Sequence, residues 1–163
     1  MTEDAERAYR KALFILERRD HTQAELQKKL QDKEFSQDSI LLAIDRLKEY
    51  GFINDRRFVE QYLRYHCLGK SKRVLSMKLL QKGIGTELFD SVYEELKAEL
   101  ACEPELEALQ QALKAALIKA ERKGYSPDEL PQEERNRIVA ALYRKGFSVA
   151  KIQAELRKAA ESF

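Results

Sequence analysis

Apolar residues recur along this chain three times with a single spacing. The first set is Leu26, Leu30, Phe35, Ile40, Ile44 and Leu47. The second is Leu75, Leu79, Ile84, Phe89, Tyr93 and Leu96, and the third is Ile138, Leu142, Phe147, Ile152, Leu156 and Ala159. Each set advances in steps of 4, 5, 5, 4 and 3. Steps of 3 and 4 keep residues on one face of a helix with about 3.6 residues per turn. The step of 5 from Leu30 to Phe35 leaves that face, so it marks a break between two helices. One small helical unit, used repeatedly, explains the recurrence.

The first two copies extend backwards in parallel. Tyr9, Leu13 and Leu16 precede the first set as Phe58, Tyr62 and Tyr65 precede the second. Thr22 and Ser71 then stand where a helix N-cap is needed, with a hydroxyl to accept an unpaired backbone N–H. Glu25, three residues after Thr22, completes a capping box. The breaks read Lys33-Glu34-Phe35, Lys82-Gly83-Ile84 and Lys145-Gly146-Phe147. Gly83 and Gly146 suit the left-handed residue that ends many helices, and a lysine before it complements the helix dipole. Glu34 departs from that rule, so the first turn is expected to differ. Each unit is thereby three helices. The third is stretched, with a first helix carrying Leu109, Leu113, Ala116 and Leu117 and an insertion at 124–134 before its second. The expected fold is all-α, an elongated tandem array of three helix-turn-helix-like repeats over 1–54, 55–101 and 102–163.

Composition narrows the function classes. Charged residues are 36% of the 163 residues and hydrophobics 44%, with six glycines and three prolines, a polar-surfaced helical composition. No apolar run approaches the ~20 residues of a membrane span. The acidic start Met1-Thr2-Glu3-Asp4 is unlike a signal peptide, so a cytoplasmic, monomeric protein with no membrane contact is expected. Cys67 and Cys102 lie at neither metal nor redox-motif spacing, and His21 and His66 are equally isolated. Gly69-Lys70-Ser71 lacks the upstream glycine of a phosphate loop, since Arg64 stands there. With no nucleophile–base constellation, no metal set and no cofactor motif, the chain is expected not to be an enzyme.

The net charge of +2 hides an uneven distribution. From Arg56 to Lys82 there are eight basic residues and one acid, Glu60. Residues 1–50 carry ten basic and eleven acidic side chains. Candidate contacts for phosphates or an acidic protein face are therefore Arg57, Arg64, Lys70, Lys72, Arg73, Lys78 and Lys82. A weaker set is Lys119, Arg122, Lys123, Arg135, Arg137, Arg144 and Lys145, diluted by Glu121, Glu133 and Glu134. Phe58, Tyr62 and Tyr65 could offer stacking faces, but their helical spacing assigns them to the core.

Three stretches resemble one family. Tyr50-Gly51-Phe52-Ile53-Asn54-Asp55-Arg56-Arg57-Phe58 resembles the glycine, aromatic, aliphatic, acidic and Arg-Phe signature of the bacterial RecX regulatory proteins. Gly69 through Leu75, with Lys82-Gly83-Ile84, is similar to that family's second hallmark, as is the Arg-Asp-His-Thr-x-x-Glu-Leu-x-x-Lys-Leu run at 19–30. Asn54 stands where the family often has Asp, and the third repeat matches only in its apolar frame. The resemblance implies a modulator of the RecA recombinase. Such proteins bind RecA filaments on DNA and suppress strand exchange, ATP hydrolysis and co-protease activity, with no chemistry of their own. A helical module binding single- or double-stranded DNA directly, and competing for it, is the alternative.

Overall fold

The computed structural model describes residues 2–162. Among them the fold is all-helical, with no strand. The helices are α1 Glu3–Leu16, α2 Gln23–Gln31, α3 Gln37–Glu49, α4 Asp55–His66 and α5 Lys72–Gln81. They continue as α6 Thr86–Leu100, α7 Pro104–Arg122, α8 Gln132–Arg144 and α9 Val149–Glu161, with a short 3₁₀ helix at Pro127–Glu129. The steps of five from Leu30, Leu79 and Leu142 fall in the gaps α2–α3, α5–α6 and α8–α9, where the helical face is lost. The repeated apolar positions are buried, except Phe35, Leu156 and Ala159, which are half-buried.

Two compact units divide the chain, and the division passes through helices α4, α5 and α6. One holds the residues up to Leu63 together with Lys78–Leu96. Its core gathers Ala12, Leu26, Leu30, Ile40, Ile44 and Leu47, with Ile53 closing it. Helix α1 lies chiefly against α3. It does so through Ala5, Ala8 and Ala12, all fully buried, while the larger Tyr9, Leu13 and Leu16 flank that row half-buried. Small side chains permit the close approach. The other unit holds Arg64–Met77 and the residues from Lys97 onward. Leu109, Leu113, Ile138, Leu142, Phe147 and Ile152 lead its core.

A polar joint is built twice, once inside each unit. Thr22 caps α2 by accepting the Glu25 N–H, and its hydroxyl donates to the Lys82 carbonyl at 2.5 Å. Ser71 accepts the Val74 N–H, and its hydroxyl donates to the Lys145 carbonyl at 2.9 Å. Both hydroxyls use donor and acceptor capacity together, and each satisfies a carbonyl that the end of α5 or α8 leaves unpaired. Lys82 adds a bond from Nζ to Glu25 Oε1 at 3.2 Å. Burial opposes ionisation of Glu25, but bonds from the Thr22 N–H and Lys82 outweigh it and hold its pKa below the usual value.

The glycines follow from this joint. Gly83 has φ +83, and a Cβ there would fall inside Ala24 Cβ. Gly146 has φ +96, and its Cβ would overlap Ser71 Oγ and press on Val74. Glu34 occupies the equivalent place at the end of α2. The expectation that its turn differs is wrong, because Glu34 adopts the same left-handed backbone at φ 64. The closing bonds match as well. Phe35 N–H donates to Leu30 O at 3.4 Å, as Ile84 N–H donates to Leu79 O at 2.9 Å and Phe147 N–H to Leu142 O at 3.3 Å. The difference lies outside the turn: Ala24 and Ser71 occupy the places a Cβ would take at Gly83 and Gly146, whereas Glu34 carries its exposed side chain at a conformational cost alone. Glu34→Gly should therefore stabilise the protein by about 0.5–1 kcal/mol, the left-handed cost less the added unfolded-chain entropy. A higher urea midpoint at unchanged slope is the expected reading; a lower one would contradict it.

Candidate interaction surface

The basic stretch runs from the start of α4 to the end of α5, and the structure distributes its charges over both compact units. On α4, Arg56 pairs with Glu60 at 3.6 Å and also with Glu95. Arg57 is exposed and donates to the Gly51 carbonyl at 3.1 Å. Arg64 meets Glu99 at 2.6 Å with both side chains about half exposed. Screening by water makes such pairs worth little to stability. Lys78 is exposed, whereas Lys82 is half-buried in the joint with Glu25 and lies 6.0 Å from the Phe58 ring centre.

Lys70, Lys72 and Arg73 come together at the N-terminus of α5. Lys70 and Lys72 are half-buried and Arg73 is exposed. The first turn of α5 carries no acidic residue. A helix N-terminus favours negative side chains, so cations here work against the helix dipole and add to its positive end. Glu105 lies at this helix start: its Oε1 accepts the Lys72 backbone N–H at 3.3 Å, and its Oε2 pairs with Lys151 at 3.2 Å. Cations at this helix start run against the usual preference for acids there.

Part of the weaker set converges on Glu134. That carboxylate is buried and takes Lys123 at 3.5 Å and Arg137 at 2.8 Å. Lys119 and Lys145 line the same cavity of about 300 Å³ between α7 and α8. Arg135 instead donates to the Leu130 carbonyl at 3.3 Å, and Arg122 and Arg144 are exposed elsewhere on those helices.

The aromatic expectation needs one correction. Phe58 and Tyr62 are half-buried and stacked with centroids 6.4 Å apart. Tyr65 is not in the core: it is 85% exposed and packs edge-on against His66. The buried row of α4 is Val59 and Leu63, continued by Cys67 just past the helix end. Both cysteines are free thiols. Burial raises the pKa of each above the usual thiol value, so neither is an activated thiolate. Among the described residues no cluster of His, Cys, Asp and Glu could hold a metal ion. No helix of the described residues is long and apolar enough to cross a membrane.

The sequence matches family models for the first three-helix domain of RecX over residues 8–47 and the second over residues 54–92. A "Regulatory protein RecX" of Mycolicibacterium smegmatis is 32% identical over 145 residues, covering 88% of this chain and 74% of the relative. The chain belongs to the RecX family. A RecX regulatory protein from Trichlorobacter lovleyi is 30% identical over 142 residues, covering 85% of this chain and 86% of its own length. In architecture, the crystal structure of RecX from Lactobacillus salivarius superposes with a TM-score of 0.81 over the full length of both chains at 21% identity. A second RecX crystal structure gives 0.75, covering 99% of this chain and 73% of that one. RecX membership supports a regulatory role and fixes the helical fold.

Proposed function

We propose that this protein binds RecA filaments assembled on DNA and restrains their recombinase, ATPase and co-protease activities, and so modulates recombination, repair and the SOS response. It acts in the bacterial cytoplasm and makes no covalent change to its partner. RecX membership supports the regulatory role, and the observation that carries the contact is the cationic start of α5. Lys70, Lys72 and Arg73 stand there with no acid in the first turn, at an end that is already positive. Such a surface suits the phosphates or acidic faces of a nucleoprotein filament and speeds encounter at low salt.

Replacing Lys70, Lys72 and Arg73 together by alanine should raise the concentration for half-inhibition of strand exchange about tenfold, the scale of three surface charges worth a few tenths of a kcal/mol each. Helical circular dichroism should be unchanged. A folded triple variant that inhibits as well as the parent would remove these residues from the contact. Direct competition for DNA is the second reading, favoured by the same cations. It requires free-DNA affinity without recombinase, falling steeply with salt.

A further inference from the structure

The first compact unit contains a cavity that the basic stretch does not touch. It has a volume of about 670 Å³ and lies between the C-terminal half of α1, the following loop and α2. Five cations line it, Lys11, Arg18, Arg19, Lys29 and Lys33, against one carboxylate, Asp32. This concentration is invisible in the near-balanced charge of residues 1–50, because the fold brings cations from α1, the following loop and the end of α2 onto one wall, where Arg19 also pairs with Glu25 at 3.5 Å. Phe14 and Ile15 supply an apolar strip beside them. Phe14 is 50% exposed, with Lys11 Nζ at 5.1 Å and Arg18 at 5.5 Å from its ring centre.

His21 completes the wall and is 5% exposed. Its Nδ1 lies 2.8 Å from the Arg19 carbonyl. A carbonyl only accepts, so Nδ1 carries the proton and donates. Nε2 is buried with no hydrogen-bond partner. A buried polar atom left unsatisfied costs stability and calls for a reason. The ring lines the cavity, so a ligand there is the partner in question.

We propose that this cavity is a phosphate-binding site of nucleotide size, in which the cationic wall holds the phosphate and His21 completes the site by taking up a proton at Nε2. The volume suits a small polar ligand, and Phe14 and Ile15 offer a surface for a base or sugar. Neutral His21 has only a lone pair at Nε2, so it must protonate before it can donate to a phosphodiester oxygen. Without ligand, burial lowers its pKa below the usual value, helped by Arg19 and Lys29 and opposed by its bond to the Arg19 carbonyl and by Glu25. Other groups on the packed elements are Lys11 from α1, Arg18 from the loop that follows it, and Asp32 and Lys33 just past the end of α2. A phosphate neutralises this wall and favours the imidazolium, so affinity rises as pH falls. The site is independent of the recombinase reading, which rests on residues in and around α5.

The test follows the His21 ring resonance of the full-length protein by NMR while it is titrated with inorganic phosphate, thymidine monophosphate or a short oligothymidylate at fixed ionic strength. The midpoint of His21 should move upward with ligand, and oligothymidylate affinity should rise about tenfold from about pH 8 to about pH 6. Response to all three probes assigns a free phosphate or nucleotide; response to oligothymidylate alone assigns a strand backbone. His21→Gln should weaken binding about tenfold and remove the pH dependence. Because His21 is buried, the exposed Lys29→Ala provides a second variant that should also weaken binding. An unmoved His21 midpoint, equal binding of an oligoglutamate peptide, or wild-type affinity in folded Lys29→Ala would overturn the proposal.

Discussion

Gly146→Ala should lower the free energy of unfolding by about 2–5 kcal/mol, the sum of a left-handed backbone cost and an overpacking cost. The first contribution arises because Gly146 sits at φ +96. The second arises because its Cβ would collide with Ser71 Oγ, the atom that donates to the Lys145 carbonyl. Relief by turning the Ser71 side chain would break that bond and the cap on Val74, so the collision cannot be avoided cheaply. Gly83→Ala should cost a similar amount, since the obstruction is Ala24 Cβ, a rigid neighbour. Glu34 provides the internal comparison: it has the same backbone conformation and is exposed, so only the conformational cost applies. Urea unfolding of the variants checks this. A loss at Gly146 below about 2 kcal/mol, no more than the conformational part alone, would mean that the joint does not constrain the turn.

Phe89→Ala should cost about 3–5 kcal/mol, the usual loss for truncating a buried aromatic side chain. Phe89 is 1% exposed and stacked on Tyr93 with ring centres 5.6 Å apart. Its removal gives up the buried ring, the aromatic contact and the fit of α6. Tyr65→Ala, on the same apolar frame as read from the chain, should leave stability within about 0.5 kcal/mol. Tyr65 is 85% exposed, so there is little burial to lose. Thermal unfolding of the pair separates the two cases, and a costly Tyr65 change or a cheap Phe89 change would contradict the packing described here.

The break after Leu30, Leu79 and Leu142 was legible because a step of five cannot remain on one helical face, whatever the surroundings. Capping at Thr22 and Ser71 was legible for the same local reason. Their second role was not: the bonds to Lys82 and Lys145 join residues 60 and 74 positions apart, and no pattern within one copy reveals them. Helix faces were legible only where large residues mark them. Ala5, Ala8 and Ala12 carry the closest packing of α1, and small residues give a weak signal. In α4 the buried row is offset from Phe58, Tyr62 and Tyr65 by one residue, about 100° of helix. Charge proved the least legible feature. The run from Arg56 to Lys82 stands out in the chain, yet Lys82 serves the joint with Glu25. The cations around His21 come from α1, its following loop and α2, where intervening acids cancel them in any linear count.

The most direct test of the regulatory account is single-stranded-DNA-dependent ATP hydrolysis by RecA, titrated with this protein beside a parallel free-DNA binding assay. Filament targeting predicts inhibition at protein levels too low to coat the DNA, and that inhibition should persist at salt concentrations that abolish free-DNA binding. Inhibition that appears only as the DNA saturates, or none at all, would contradict it.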